Sequence, residues 1–430
     1  MLIQKQKNKM LNTIIVINKK HMQKNINEGF RVGATSFSIN IKKNLERNES
    51  YIGTVFYERD ESISSPLLMV GHDDERYSLT LKFNYKMPRN VVTQNLKDAF
   101  EILQKLVGGI TKEFIVYYQT DAFLSFHPEE IPYCVTHHGP FIEHFLNKYS
   151  YEEAGYAFGG KDKVDHLLTQ QKKGISILKD GSGFAILHSS IQKKFLLERK
   201  IKQNQCLKIT PPINPRLHHK NDIINSRAIR SFIETLAEQD IILVTAVARL
   251  DYFKNIEMFL EASIHVAENM TNVKILIVGD GHDIKVNRNK LRNLIPSALN
   301  DRYLIHPKVS PNDLNIIFNK LTSRAIFVCT SRYETLGITP LEAAITGMYT
   351  LMPALDSVEA SFYFKENERF HYEADKLSEK IFKVINSRAY KNNSQKSYIK
   401  DAFSEERFSQ STENAWSQMA SILKKNEKAY

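Results

Sequence analysis

Between residues 241 and 347 one pattern recurs: a short apolar run, a loop carrying glycine or charge, then an amphipathic or helix-forming segment. Ile241 to Ala248, Val273 to Val278 and Ala325 to Cys329 are the apolar runs, interrupted only by Thr245 and Lys274, and they read as strands buried on both faces. Strand and helix alternating from about Asp240 to about residue 390 imply a parallel sheet covered by helices on both sides. The first half reads similarly, with strands near 13–17, 52–58, 114–118, 132–136, 184–187 and 206–210. Its helices are expected near 33–47, 92–107, 163–179 and 190–201, and it ends at Pro211-Pro212-Ile-Asn-Pro215. The expected organisation is two α/β domains, 1–215 and 216–403, followed by a terminal helical segment, 404–430, that contains the only tryptophan, Trp416, and is polar enough for a surface.

Composition bounds the class. A chain of 430 residues with 42% hydrophobic and 25% charged residues is long enough for two or three globular domains and too apolar for disorder. No run approaches the roughly 18 apolar residues that would span a bilayer. Thr13 to Ile17 is too short for a signal-peptide core and is followed by Asn18-Lys19-Lys20, so it reads as the first strand. Cys134, Cys206 and Cys329 lie far apart without metal-ligand spacing and read as reduced core residues, which fits a cytoplasmic protein. No metal is expected.

Charge is uneven. Residues 1–50 hold ten Lys or Arg against three Glu, and residues 161–202 hold ten against four acids. Those nets, +7 and +6, exceed the +11 of the whole chain by two, so the remainder is slightly acidic. A solvated surface is one reading of the excess, and attraction to a lipid phosphate, a membrane surface or an acidic glycan is the other. No recognition helix, finger or stacking motif accompanies it, which argues against nucleic acid.

The loops after the strands carry the candidate chemistry. Ser331-Arg-Tyr-Glu334-Thr335-Leu336-Gly337-Ile-Thr339-Pro340-Leu-Glu342 places two carboxylates eight positions apart across a glycine, ahead of a helix expected to begin near Pro340. Thr339-x-x-Glu342, with Pro340 at the first helical position, also fits a capping box, and Ser331-x-x-Glu334 has the same spacing. Upstream, Arg249-Leu-Asp-Tyr-Phe-Lys254-Asn255 puts two cations before a helix N-terminus, where anions are favoured. Gly279-Asp-Gly281-His282 begins a dinucleotide fingerprint, but Ile284 stands where the third glycine belongs. Its glycines fit either close approach to a ligand or an ordinary tight turn.

Together, Glu334-x7-Glu342 with Gly337 and Gly347, and the Arg-Leu-x-x-x-Lys-Asn run, resemble the signature of family 4 retaining glycosyltransferases (glycosyl transferases group 1). The resemblance implies the GT-B fold, two Rossmann-like domains facing across a cleft, the first binding acceptor and the second nucleotide sugar, with the last helix crossing back to the first. It implies transfer of a hexose from a nucleoside-diphosphate sugar, a UDP-sugar as first expectation, to a hydroxyl acceptor in glycan, glycolipid or glycosylated-metabolite biosynthesis. Arg249 and Lys254 would neutralise the leaving diphosphate without metal or cofactor, and Glu334 would contact the transferred sugar. Glu342 would bind ribose, while Gly279, Gly281, Thr335, Leu336 and Gly337 would line the donor.

In the first half the likeness is sparser. Gly29-Phe-Arg31-Val-Gly33 resembles the acceptor loop, and Pro132-Tyr-Cys-Val-Thr136-His137-His138 resembles the strand end that carries a histidine beside the reacting sugar, His138 by position. Phe158-Gly-Gly-Lys161-Asp-Lys163 reads as an acceptor-shaping loop or a plain loop before a helix near Val164. The family's proline-valine strand and glycine-rich turn are replaced here by Met348 to Glu359. The implied location is cytoplasmic, peripheral to the inner membrane face through the basic half. A phosphorylase or hydrolase on the same fold, or a non-catalytic nucleotide-sugar-binding protein, remains an alternative.

Overall fold

The computed structural model of the chain describes residues 10–427, apart from 23, 26–28, 31–32, 74–75, 110–112, 181–182, 214–221, 248–249, 280–283 and 392–393. It divides into two compact units. Met1–Asn147, Asp162–Pro211 and Phe408–Tyr430 form the first, and Lys148–Lys161 with Pro212–Arg407 form the second. The division falls close to the proline-rich stretch, but fourteen residues from the middle of the first half, 148–161, side with the second unit.

In the first unit the strands are β1 (Asn12–Asn18), the short pair β2 (Lys24–Asn25) and β3 (Gly29–Phe30), β4 (Tyr51–Arg59), β5 (Leu67–Asp73) and β6 (Arg76–Phe83). They continue with β7 (Phe114–Tyr118), β8 (Tyr133–Thr136), β9 (Phe184–Leu187) and β10 (Cys206–Lys208). Eight of them form one sheet in the order β10-β9-β8-β7-β1-β4-β6-β5, parallel throughout except for the β5–β6 hairpin at one edge. That hairpin was not expected from sequence, although Leu79, Leu81 and Phe83 alternate as a half-buried strand requires.

Strand periodicity sorts the core into two layers. Ile14, Val16, Val116 and Tyr118 pack on one face with Leu96, Phe100 and Leu103 of the helix Arg89–Leu106. Ile15, Ile17, Ile115 and Tyr117 pack on the other with Phe37, Ile41 and Leu45 of the helix Gly33–Arg47. Trp416 and Met419 of the last helix, Glu405–Glu427, complete that second layer. Trp416 is fully buried, and its indole N–H donates to Thr13 Oγ1 at 2.8 Å. The terminal segment is thus polar on one face only, a correction to its reading as surface.

The second unit holds β11 (Ile241–Ala246), β12 (Val273–Val278), β13 (Tyr303–His306), β14 (Ala325–Val328), β15 (Tyr349–Pro353) and β16 (Arg369–Phe370). All pair in parallel in the order β13-β12-β11-β14-β15-β16. Alternate residues again face opposite layers: Ile242, Val244 and Phe327 in one, Leu243, Ile275 and Ile326 in the other. The chain runs outward from β11 to β13 and then returns to β14 on the opposite side of β11. That reversal leaves a crevice outside the carboxyl ends of β11 and β14, where open parallel sheets place their ligands. Among the described residues no helix is long and apolar enough to cross a membrane.

Candidate active site at the strand-order reversal

Both loops singled out in the sequence leave the sheet at this reversal. The β11 loop brings Lys254, and the β14 loop brings Glu334, and the lysine Nζ donates to Glu334 Oε1 in a half-buried ion pair. Ser331 Oγ donates to the same oxygen at 2.8 Å. Burial, the largest influence on Lys254, works against its charge. The Glu334 carboxylate, helped by Cys329 and Asp251, outweighs it and raises the lysine pKa. Lys254 therefore stays protonated across the neutral range, ion-paired with Glu334 at the crevice.

A net of hydrogen bonds keeps the two loops in register. Arg332 N–H donates to Phe253 O at 2.7 Å, its Nε to Tyr252 O at 3.2 Å and its Nη2 to Asn255 Oδ1 at 2.9 Å, while the guanidinium lies 4.4 Å over the Tyr252 ring. Asn255 has φ of +45°, a left-handed conformation that asparagine tolerates better than most residues, and it leads into the helix Ile256–Asn269. The neighbouring strands contribute too: Tyr372 beyond β16 donates to Thr330 O at 2.8 Å, and Glu334 N–H donates to Ser357 O at 2.9 Å after β15. Sequence reasoning quoted Arg332 and Asn255 inside motifs without assigning them work. Their signal was only adjacency to the acid and the lysine, because what they brace is a loop 77 positions away.

The stray segment 148–161 binds here as well. Tyr149 Oη donates to Arg332 O at 3.1 Å, Lys148 pairs with Asp356, and Tyr252 donates its hydroxyl to Glu153. Phe158 meets Phe253 edge-on with ring centroids 5.1 Å apart. Its helix, Tyr151–Phe158, starts from a capping box, Ser150 with Glu153, and stops at Gly159 in the left-handed region. The following helix begins at Lys161, so Lys161-Asp-Lys163 is helical and not loop.

The capping reading of the paired acids fails on geometry. The helix runs Ile338–Thr346, its cap residue is Gly337 with φ of +89°, and no side chain caps it. It begins two residues before the expected Pro340. Thr339 therefore lies inside the helix, Glu342 lies in its second turn, and Glu334 sits in an isolated bridge to Val358, so neither acid occupies a capping position. A Cβ on Gly337 would approach Ala360 Cβ at 3.0 Å in a conformation L-residues avoid, which requires glycine there. The result is an uncapped helix N-terminus, with its outward N–H groups and positive dipole end, at the reversal. Leu336 packs its side chain in the core, leaving only its backbone to face the reversal, and Thr335 lies in the bend between Glu334 and Leu336.

Glu342 is partly buried and makes no hydrogen bond or ion pair among the described residues. Burial alone raises its pKa from 4.5 to about 7. A carboxyl held in that state lacks the donors an ionised acid needs. Gly279 has a different explanation. A Cβ there would lie 2.7 Å from Val247 Cγ2 and 2.9 Å from Val247 O, so the chain itself fills the space above it. Arg249 and Gly281 fall outside the described residues.

In the first unit, His137 and His138 follow the end of β8 at Thr136. The His138 ring is occupied at both nitrogens: Nε2–H donates to Gln119 O at 2.8 Å, and Nδ1 accepts from His188 Nε2 at 2.9 Å. Burial, then the neighbouring His188, holds its pKa well below the ordinary value, and burial lowers His188 to about 4. His138 is a neutral, pinned imidazole, not a free proton carrier. His137 Nδ1 faces Asp121 at 3.2 Å and its ring stacks on Phe141. Gly29 lies in β3, paired with Asn25 of β2, and Gly33 opens the helix Gly33–Arg47.

Residues 228–403 match the family described as glycosyl transferases group 1. No curated protein sequence matches the chain. Among solved structures, sucrose-phosphate synthase from Thermosynechococcus elongatus aligns over 97% of this chain and 100% of its own at 17% identity, TM-score 0.62. The Anabaena protein HepE, solved with UDP and glucose, aligns over 96% and 99% at 12% identity, TM-score 0.62. A glycosyltransferase from Rickettsia africae aligns over 95% and 99% at 16% identity, TM-score 0.62. At such identities the likeness establishes the fold, which is GT-B with two Rossmann-like domains.

Proposed function

We propose, from the premise that residues 228–403 are a glycosyl transferases group 1 domain and the chain a glycosyltransferase, that it moves a sugar from a nucleoside-diphosphate sugar to a hydroxyl acceptor with retention of anomeric configuration. The observation that carries the reading is Glu342: a partly buried carboxyl with no partner among the described residues, one helical turn beyond an uncapped N-terminus at the strand-order reversal. A nucleoside diphosphate matches both features, ribose hydroxyls for the acid and phosphate oxygens for the N–H groups.

As the glycosidic bond breaks, negative charge develops on the diphosphate, so a preorganised cation stabilises the transition state more than the ground state. Lys254 supplies that charge in its braced loop, and Arg249 is proposed to join it. Glu334, held by Lys254 and Ser331, is oriented by two donors before substrate arrives and takes the sugar hydroxyls. No metal or organic cofactor is assigned. UDP is the preferred carrier, supported by the UDP bound in the HepE structure, and the acceptor is a sugar, lipid-linked or other hydroxyl compound. His138 enters as a positioning residue on the acceptor side, with the backbone near Gly29 and Gly33. The proposed site of action is the cytoplasm, with the basic first half resting on the membrane's inner face.

Calorimetric titration with UDP beside a transfer assay tests the assignment of the two acids. Glu342→Gln is expected to weaken UDP binding by about 1.5–3 kcal/mol, the range for a hydrogen bond to a charged group. Glu334→Gln is expected to slow transfer while leaving UDP affinity close to normal. Unchanged affinity in the first and unchanged turnover in the second would refute the proposal.

A further inference from the structure

Away from the reversal, a groove of about 700 Å³ runs between the edge strand β16 and the helix Ala374–Asn386. In sequence, residues 365–383 are neutral, with five cations and five acids. Folding separates them. Lys365, Arg369, Lys376, Lys380 and Lys383 line the groove with only Glu366 and Glu379, a net of +3 from five minus two. Glu368 is withdrawn beneath it, buried and accepting from Lys365 N–H at 2.8 Å and from the Tyr398 hydroxyl at 2.5 Å. Glu373 and Asp375 do not line it.

The remaining cations are poorly compensated. Glu379 is committed to Lys376 at 2.7 Å, and Lys365 lies 5.3 Å over the Tyr398 ring. Lys380 and Lys383 form no ion pair among the described residues, and Arg369 Nε is buried without an acceptor. Burial first, then the charge of Lys383, lowers the Lys380 pKa, and Glu368 and Glu366 offset this only in part. Buried N–H groups normally find partners, and clustered like charges persist at a cost unless an anion joins them.

We propose that this groove binds a phosphate group, presented by a soluble phosphorylated compound or by an anionic lipid headgroup. Phosphate oxygens accept from the Lys380 and Lys383 ammonium groups and from the groove-lining Arg369 side chain, relieving the clustered charge with charge-assisted bonds. The lining residues are distinct from Lys254, Glu334 and Glu342, so the inference is independent of the proposed transfer reaction.

The test uses full-length protein with two probes, inorganic pyrophosphate by calorimetry and phosphatidylcholine vesicles with or without phosphatidylglycerol by co-sedimentation. The variants are Lys380→Gln with Lys383→Gln, surface changes whose folding is checked by thermal unfolding, in wild-type and Lys254→Ala backgrounds. In the Lys254→Ala background, the pair of substitutions is expected to weaken at least one probe by on the order of tenfold or more. Loss confined to pyrophosphate identifies a soluble ligand, and loss of sedimentation with phosphatidylglycerol vesicles identifies a lipid headgroup. If the pair changes neither probe's binding, the inference is overturned.

Discussion

Replacing Glu342 by glutamine keeps the shape of the side chain and removes only its titration, which makes it a direct probe of why this acid is there. The folded-state pKa of about 7 lies above the ordinary 4.5, so the group's contribution to stability is complete below about pH 4.5 and is lost as pH rises through about 7. At about 1.4 kcal/mol per pH unit, the full loss reaches about 3 kcal/mol at alkaline pH. Glutamine suffers no such loss. Between pH 5.5 and 8.5 the stability of Glu342→Gln relative to the parent is therefore expected to rise by about 2 kcal/mol, an upward change of roughly 4–8 °C in the relative Tm. Thermal unfolding of both proteins at the two pH values, without nucleotide, measures it. A capping glutamate predicts an ionised side chain and no such trend. A parallel pH dependence for both proteins, or a variant that falls behind as pH rises, would refute the claim that an uncompensated carboxyl waits here for a ligand. Saturating UDP is expected to reverse the order, because the ionised acid then has hydroxyl partners.

Lys254→Ala is expected to lower kcat/KM by on the order of 100-fold, the usual scale for losing a charged contact to a transition state, as steady-state assays would show. Near-normal turnover would remove Lys254 from the mechanism. Transfer is expected to persist in excess EDTA, since protein cations are assigned the neutralisation of the diphosphate; a magnesium-reversible loss would require a metal-bridged donor. Trp416→Ala removes a fully buried ring and the hydrogen bond to Thr13, and is expected to cost about 3–5 kcal/mol in chemical unfolding of the unit that contains it.

How the site was legible follows from the distances over which its parts act. The Glu334, Gly337 and Glu342 spacing, and the Lys254–Asn255 pair, are local strings, and local strings survive in a one-dimensional reading. The bracing of those strings does not. Arg332 reaches Asn255 across 77 positions, and nothing in either neighbourhood announces the other. The same limit hid the second unit's hold on residues 148–161. Their hydrophobic pattern says that Phe158 and Tyr149 need cover, but cover from Phe253 and the Arg332 carbonyl is decided only when chain segments meet.

By itself the sequence determined the alternation of strand and helix, and with it parallel sheets, because apolar runs of strand length and amphipathic segments leave few ways to bury both. It also determined which short loops carry acid, cation and glycine. Tertiary structure alone decided the strand order, and therefore that the loops of β11 and β14 share one crevice. It decided that the helix after Gly337 starts at Ile338, which freed Glu342 from capping and left its carboxyl unpartnered among the described residues. It sorted the neutral run 365–383 into a cationic groove over a buried acid. The physical reason is common to all three. Hydrophobic periodicity is written residue by residue along the chain, whereas the field and the hydrogen-bond partners of a polar group depend on which distant segments the fold brings beside it.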